Sequence, residues 1–300
     1  MREKIWNNLD ILLGILGVLG GLITLIIGLK SSNAMLQQVS LTLLLPILVY
    51  LFCRRTLQEN EENSIIISNP RQKFLYSTLV FQILFIFALV LYRTGDYTRP
   101  LSFLIIISIM AGCLAVSIYA ATTNLQYLFT LIEILALGIL LRATVYFQFP
   151  TMIGGDPLAH AAWIQSVSVI GNIAEAMAAY QSFPLMHIFV ASLHDITGLA
   201  IKESMAFVGL CEVFSLVFLF LIGRKFFDEK IGLLATLLLA LSASNILYGY
   251  LIIPQTFGIA FIPMLFFLLF LQNIAPNNKN RYNILTVIVL VALLFTHTIT

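Results

Sequence analysis

The stretch Phe183-Pro184-Leu185-Met186-His187-Ile188-Phe189-Val190-Ala191-Ser192-Leu193-His194-Asp195-Ile196-Thr197-Gly198 decides the topology of this chain. It is apolar enough to enter a membrane, yet Pro184 to Thr197 is only 14 residues. A helix rises about 1.5 Å per residue, and crossing a hydrocarbon core takes about 20 residues. If this run crossed, every later loop would change sides, and the basic turn Gly223-Arg224-Lys225-Phe226-Phe227-Asp228-Glu229-Lys230 would face outward. Lys and Arg favour cytoplasmic loops, and so short a run is more often interfacial than spanning. We read it as a helix lying on the outer surface, with Pro184 in its first turn and Gly198 at its end. Leu185, Ile188, Phe189, Ser192 and Ile196 share its greasy face, and His187 and His194 lie opposite.

The rest of the chain has to cross. Of its 300 residues 60% are apolar and 10% charged, and the mean hydropathy is +0.99. A soluble domain is nearer half apolar and a quarter charged, which excludes a soluble globule, a disordered chain, a nucleic-acid binder and a disulfide scaffold. The apolar runs have span length, unlike the alternating strands of about ten residues in outer-membrane barrels. The sequence predicts an all-α polytopic bundle of nine crossings, at about 11–29, 36–53, 74–92, 101–121, 125–147, 204–222, 231–250, 254–271 and 284–300. With the N-terminus inside, 11 of the 16 Lys and Arg face the cytoplasm, the outer side keeping Lys30, Arg93, Arg99, Arg142 and Lys202. Cys53, Cys113 and Cys211 lack CxxC spacing and read as small apolar-run residues. No cleavable leader follows the first run, and the ending Phe295-Thr296-His297-Thr298-Ile299-Thr300, without a polar tail, suggests a piece of a longer protein.

Residues 148–203 then form the one long outer segment. A second surface helix is expected from Pro157 to about Ile170, with Ala159, Trp163, Val167 and Ile170 as its apolar stripe. Asp156 would cap that helix, with His160 one turn later on the same side. A carboxylate and an imidazole so spaced suit a shared divalent cation or deprotonation of an acceptor, and equally suit a plain turn-and-cap. His187 and His194 lie about 10 Å apart along a helix, too far to share a metal; each would touch a head group or snorkel. Glu133 and Glu212 fall inside spans, where an ionisable group marks a functional site by default. Nine residues separate Glu133 from Arg142, so they sit on opposite faces. Glu133 would reach a neighbouring helix, Glu212 would make a buried contact between helices, and Arg142 would hold a carrier phosphate or snorkel. Tyr248, Tyr250, Pro254 and Gln255 form a tight outer turn level with His297, either walling a site or contributing to the aromatic belt. No P-loop, GxGxxG, HExxH or GxSxG is present.

Taken in order, these residues carry a resemblance. A span is followed by Gly155-Asp156-Pro157-Leu158-Ala159-His160, then by Tyr180-Gln181-Ser182-Phe183-Pro184-Leu185-Met186-His187 and a surface helix ending in Thr197-Gly198. A further span, the Gly223-Arg224-Lys225 turn and a run to Ser242-Ala243-Ser244 complete it. The region 125–270 resembles the membrane module of GT-C glycosyltransferases, the superfamily of oligosaccharyltransferase catalytic subunits and protein mannosyltransferases. The resemblance implies two modules, a four-span one at 1–123 and a GT-C-like one at 124–300. It implies transfer of a sugar from a polyprenyl-phosphate carrier to a glycan, lipid or protein acceptor at the outer face of the plasma membrane. Asp156 would be base or ligand to a divalent cation (Mg or Mn), supported by His160, with Arg142 or His187 on the carrier phosphate. Leu158 and Ala159 depart from the family's bulkier residues, and Gly154 and Gly155 stand where a second carboxylate is often found. The other reading of the same sequence is a transporter, a lipid flippase or a non-catalytic membrane subunit.

Overall fold

A computed structural model describes residues 9–31, 40, 44, 47–48, 69–94, 99–177, 180–274 and 278–296. The chain divides into two compact units, 1–68 and 69–300. In the first, α1 (Leu9–Lys30) brings Gly17 and Gly21 against the side chains of Ile47 and Leu44. The expected second crossing, 36–53, lies largely outside the described residues.

The second unit contains helices and no strand among its described residues. In chain order it contains α2 (Pro70–Thr94), α3 (Leu101–Ala120), α4 (Asn124–Tyr146), α5 (Gly155–Ile170), α6 (Ile173–Ala176), α7 (Leu185–Thr197), α8 (Ile201–Phe226), α9 (Glu229–Ala240), α10 (Ala243–Tyr250), α11 (Pro254–Ile274) and α12 (Lys279–Leu294). Among the described residues five helices are long and apolar enough to cross a membrane: 70–92, 101–120, 124–146, 201–226 and 254–273. Their flanks expose Leu75, Ile86, Phe87, Leu104, Ile105 and Phe214. Exposed apolar rows along span-length helices are what lipid tails require, and they mark an integral membrane protein.

The expected seventh crossing, 231–250, is not one straight helix. It is broken into α9 and α10, which meet at 60° across Leu241–Ser242 and make a sixth span only if the bent pair counts as one. At the ends, the stretch Ile15–Lys30 of α1 is apolar, and α12 has 16 residues. The short α7, 13 residues, is about 20 Å long, below the hydrocarbon thickness. Its end is as read: Gly198 adopts φ +71°, a left-handed cap that costs other residues strain.

Helix α8 is the hub, packing against α4, α7, α9, α10 and α11, while α2–α3 and α11–α12 form hairpins. The helices α2 and α3, read from sequence as part of an N-terminal module, belong to this unit and contact α4, and α3 also packs on α9. Met110, Leu114, Ile134, Leu137, Leu216 and Leu233 fill the centre. Polar ties sit at the ends and crossings. Thr123 and Gln126 form a reciprocal capping box that starts α4, and Asp228 accepts from the Ile231 N–H at 2.8 Å to start α9. Ser77 and Ser117 share a buried hydrogen bond of 2.7 Å between α2 and α3. The ammonium of Lys230 donates to the Tyr119 carbonyl at 2.8 Å, joining α9 to the end of α3.

Candidate functional site

The site is built where α4 ends and α8 begins. Lys202, in the first turn of α8, donates from Nζ to the Phe149 carbonyl and lies 5.3 Å above the Tyr146 ring. The Tyr146 hydroxyl returns a 2.7 Å bond to the Lys202 carbonyl. This clasp holds the chain as it leaves α4 and sets the base from which α5 starts.

Helices α5 and α7 lie packed together, and their shared core is polar and aromatic. His160 and His187 meet Nδ1 to Nε2 at 2.9 Å, one imidazole donating and the other accepting. Around them Trp163 and Tyr180 stack at 5.6 Å, and Tyr180 lies 5.2 Å from the His160 ring. His187 is fully buried, and burial, reinforced by neighbouring His160, pushes its pKa down to about 3. The Phe183 backbone acts in the opposite direction and only partly offsets this. At the far end of the pair, Ser168 donates to the Asp195 carboxylate at 2.5 Å.

This arrangement corrects several sequence expectations. The buried face of α7 is Met186, His187, Val190 and Ala191; Ile188 and Ile196, read as greasy contacts, are exposed, Ile196 at 84%. His187 therefore neither snorkels nor reaches a phosphate. In α5 the buried stripe is Pro157, His160 and Ile164, so Ala159 and Ile170 face outward. Both shifts have one cause: the two short helices bury their faces against each other and the span ends, where imidazoles that satisfy one another are as acceptable as aliphatics. Asp195 accepts from Ser168 besides meeting solvent. His194 binds the Leu199 carbonyl at 2.6 Å and so closes its own helix end.

Asp156 is exposed in the first turn of α5, and Gly154 rather than Asp156 occupies the capping position. Its charge is felt by Tyr180, whose phenol is raised by burial first and by Asp156 second. His160 follows Asp156 by one turn as the spacing implied, but its ring points inward to His187. A divalent cation takes several oxygen or imidazole ligands. Among the described residues no three His, Cys, Asp or Glu side chains converge on one point.

Arg142 departs furthest from expectation. It is 3% exposed and binds Glu212 bidentately, Nε to Oε2 at 2.6 Å and Nη2 to Oε1 at 3.3 Å. Its Nη1 donates to the Gly138 carbonyl at 2.9 Å and to the Ala240 carbonyl at 3.5 Å. It does not snorkel, and four of its five N–H donors are taken by protein acceptors. Glu212 is the buried contact expected of it. Glu133 is buried as well, but neither of its carboxyl oxygens forms the expected bond to a neighbouring helix.

No protein family, curated protein or solved structure matches this chain. Its chemistry is therefore read from its own residues. Next to the loop, an apolar cavity of about 330 Å³ opens between α4 and α8, walled by Tyr146, Phe147, Leu199, Phe207, Leu210 and Ile252, with Arg142 at its polar end. Gly154 approaches the Leu251 side chain, and the next residue, Ile252, lines that cavity. Tyr248 and Gln255, both partly buried, flank a turn braced by Thr256, whose hydroxyl donates to the carbonyls of Tyr248 at 2.8 Å and Leu251 at 3.0 Å. His297 lies outside the described residues. Sequence reading missed Trp163 and Tyr180 as partners of the histidines, and Lys202 as the clasp, because each pairing joins residues distant in sequence.

Proposed function

We propose that this protein transfers a sugar from a polyprenyl-phosphate-linked donor to an acceptor at the outer membrane face. The observation that carries this reading is the exposed carboxylate of Asp156, held on a short helix packed against α7 in a protein that also has an apolar cavity suited to a lipid tail. In this reaction the acceptor hydroxyl attacks the sugar C1 and its proton passes to the Asp156 carboxylate. The C1–O bond to phosphate breaks, and polyprenyl phosphate leaves with the electron pair. Tyr180 shapes the rim beside the carboxylate. His160 and His187 act as positioning residues that fix α5 on α7. No step is assigned to a metal.

This reading places the N-terminus in the cytoplasm of a nine-span, GT-C-like bundle with 148–203 outside, and the donor arrives through the bilayer. Asp156→Asn should lower transfer from a lipid-linked sugar in isolated membranes by about 100-fold or more, as loss of a general base typically does. Asp156→Glu should keep part of the activity, and full transfer by Asp156→Asn at equal expression would reject the assignment.

One observation favours a second reading, a transporter. Discontinuous helices at membrane depth often build transport sites, and the α9–α10 break is tied by Arg142 to the buried Arg142–Glu212 pair. Substrate flux into proteoliposomes that Glu212→Gln abolishes, without any glycosyl transfer, would select it.

A further inference from the structure

We propose that α2 carries a self-association seam, through which two copies of this chain pair side by side in the membrane with their Gln82 amides hydrogen-bonded to each other. Helix α2 is of span length, and Gln82 is the 13th of its 25 residues, about 18 Å from either end. The residue is exposed. A glutamine side chain is too short to reach water from that depth, and lipid tails offer its amide no partner. The amide is therefore costly there until another polar group meets it. This inference is independent of Asp156 and of any sugar transfer.

The residues around Gln82 repeat as a paired helix requires. Leu75, Leu79, Gln82, Ile86 and Leu89 follow one another at steps of four, three, four and three, and all five are exposed. That spacing places them in one stripe, the seam of a left-handed helix pair, with a single polar residue at its middle. The stripe is separate from the face that α2 already uses, where Ser77, Phe81 and Ala88 are buried and Ser77 bonds Ser117 of α3. Beside the seam, a groove of about 320 Å³ runs between α2 and α4. Leu75, Leu79 and Gln82 line one side of it, and Leu125 and Phe129 line the other. The groove gives room for aliphatic side chains of a second helix laid along the seam.

A second copy fits this seam better than a lipid or an unrelated helix. Copies of one chain insert in the same sense, so the two-fold axis of a dimer runs along the membrane normal and equal residues lie at equal depth. Each Gln82 then meets its own counterpart. A primary amide holds both a donor and an acceptor, so two of them facing across the axis satisfy each other with reciprocal N–H to O=C bonds. A lipid chain would fill the groove and leave the amide unpaired. An unrelated helix would need a polar group at this one depth. A single polar residue in an apolar seam fixes register, and here the register it demands is the one that equal depth already imposes.

The test is energy transfer between two differently labelled pools of the full chain, reconstituted together in phosphatidylcholine vesicles over a range of protein-to-lipid ratios. Gln82→Leu should associate about tenfold more weakly than the wild type, and Gln82→Asn, which keeps an amide, should retain part of the difference. Leucine suits a lipid-facing position, so a loss in Gln82→Leu reports the amide rather than misfolding. A second measurement fixes the face. In oxidised membranes Ile86→Cys, on the seam, should give a disulfide-linked dimer above the wild-type background. Ile83→Cys, exposed but turned about 100° from Gln82, should not. A wild type that stays monomeric at every ratio would mean that lipid or another part of the chain covers the seam, and would overturn the proposal. Equal association of the wild type and Gln82→Leu would place the contact on another face and overturn it as well.

Discussion

Arg142 and Glu212 face each other in the interior of the bundle, where an ion pair is stable only while both partners remain. Arg142 makes four hydrogen bonds, two to Glu212 and two to helix carbonyls, and the Ala240 carbonyl is freed by the bend at the end of α9. The pair therefore compensates the break as well as itself. Gly249 belongs to the same construction, since a Cβ there would sit 2.3 Å from Arg142 Nε. Removing one partner leaves an uncompensated buried charge, so Glu212→Gln and Arg142→Gln should each cost about 3–5 kcal/mol. The double variant Arg142→Met, Glu212→Leu should cost clearly less than the sum. Thermal unfolding of the purified variants in detergent measures this, and simple additivity would show that the pair is not coupled. The identities of both residues were visible in the sequence, and so was the burial of Glu212. Their pairing was not, because a separation of 70 positions carries no periodic signal linking α4 to α8.

The pair of short helices α5 and α7 depends on a neutral histidine contact. His187 is held at about 3 against an ordinary value near 6.5, so the folded state binds fewer protons than the unfolded chain below neutrality. The sign follows: this contribution is complete above about pH 6.5 and is lost as pH falls toward 3. Between those limits each pH unit should remove up to about 1.4 kcal/mol. His187→Gln should flatten the dependence of the unfolding temperature between pH 7 and pH 5; a slope equal to the wild type would disprove the role of His187. The sequence identified both helices and the end of α7 at Gly198. It misjudged which faces are buried, because amphipathicity assigns histidine to the polar side. Here two imidazoles satisfy each other within an aromatic shell, and the aliphatic Ile196 faces outward instead.

At the scale of the whole molecule, topology is the open quantity that one charge count predicts. Reporter fusions at residues 165 and 228 should report opposite sides of the membrane, 228 cytoplasmic with the N-terminus. The same side for both would mean that α8 does not cross or that α7 does. The sequence by itself determined that the chain is helical and membrane-embedded, because the length and apolarity of a run decide whether its backbone can cross lipid. It determined as well that the apolar run 184–197 is shorter than an ordinary span. Only the tertiary structure decided that the expected seventh crossing is bent, that Arg142 is taken by Glu212 while Arg99 keeps an unpaired donor, and that His160 bonds His187. Those outcomes depend on which helix faces meet. Hydropathy measures how far each residue prefers to leave water and says nothing about which partner it finds there.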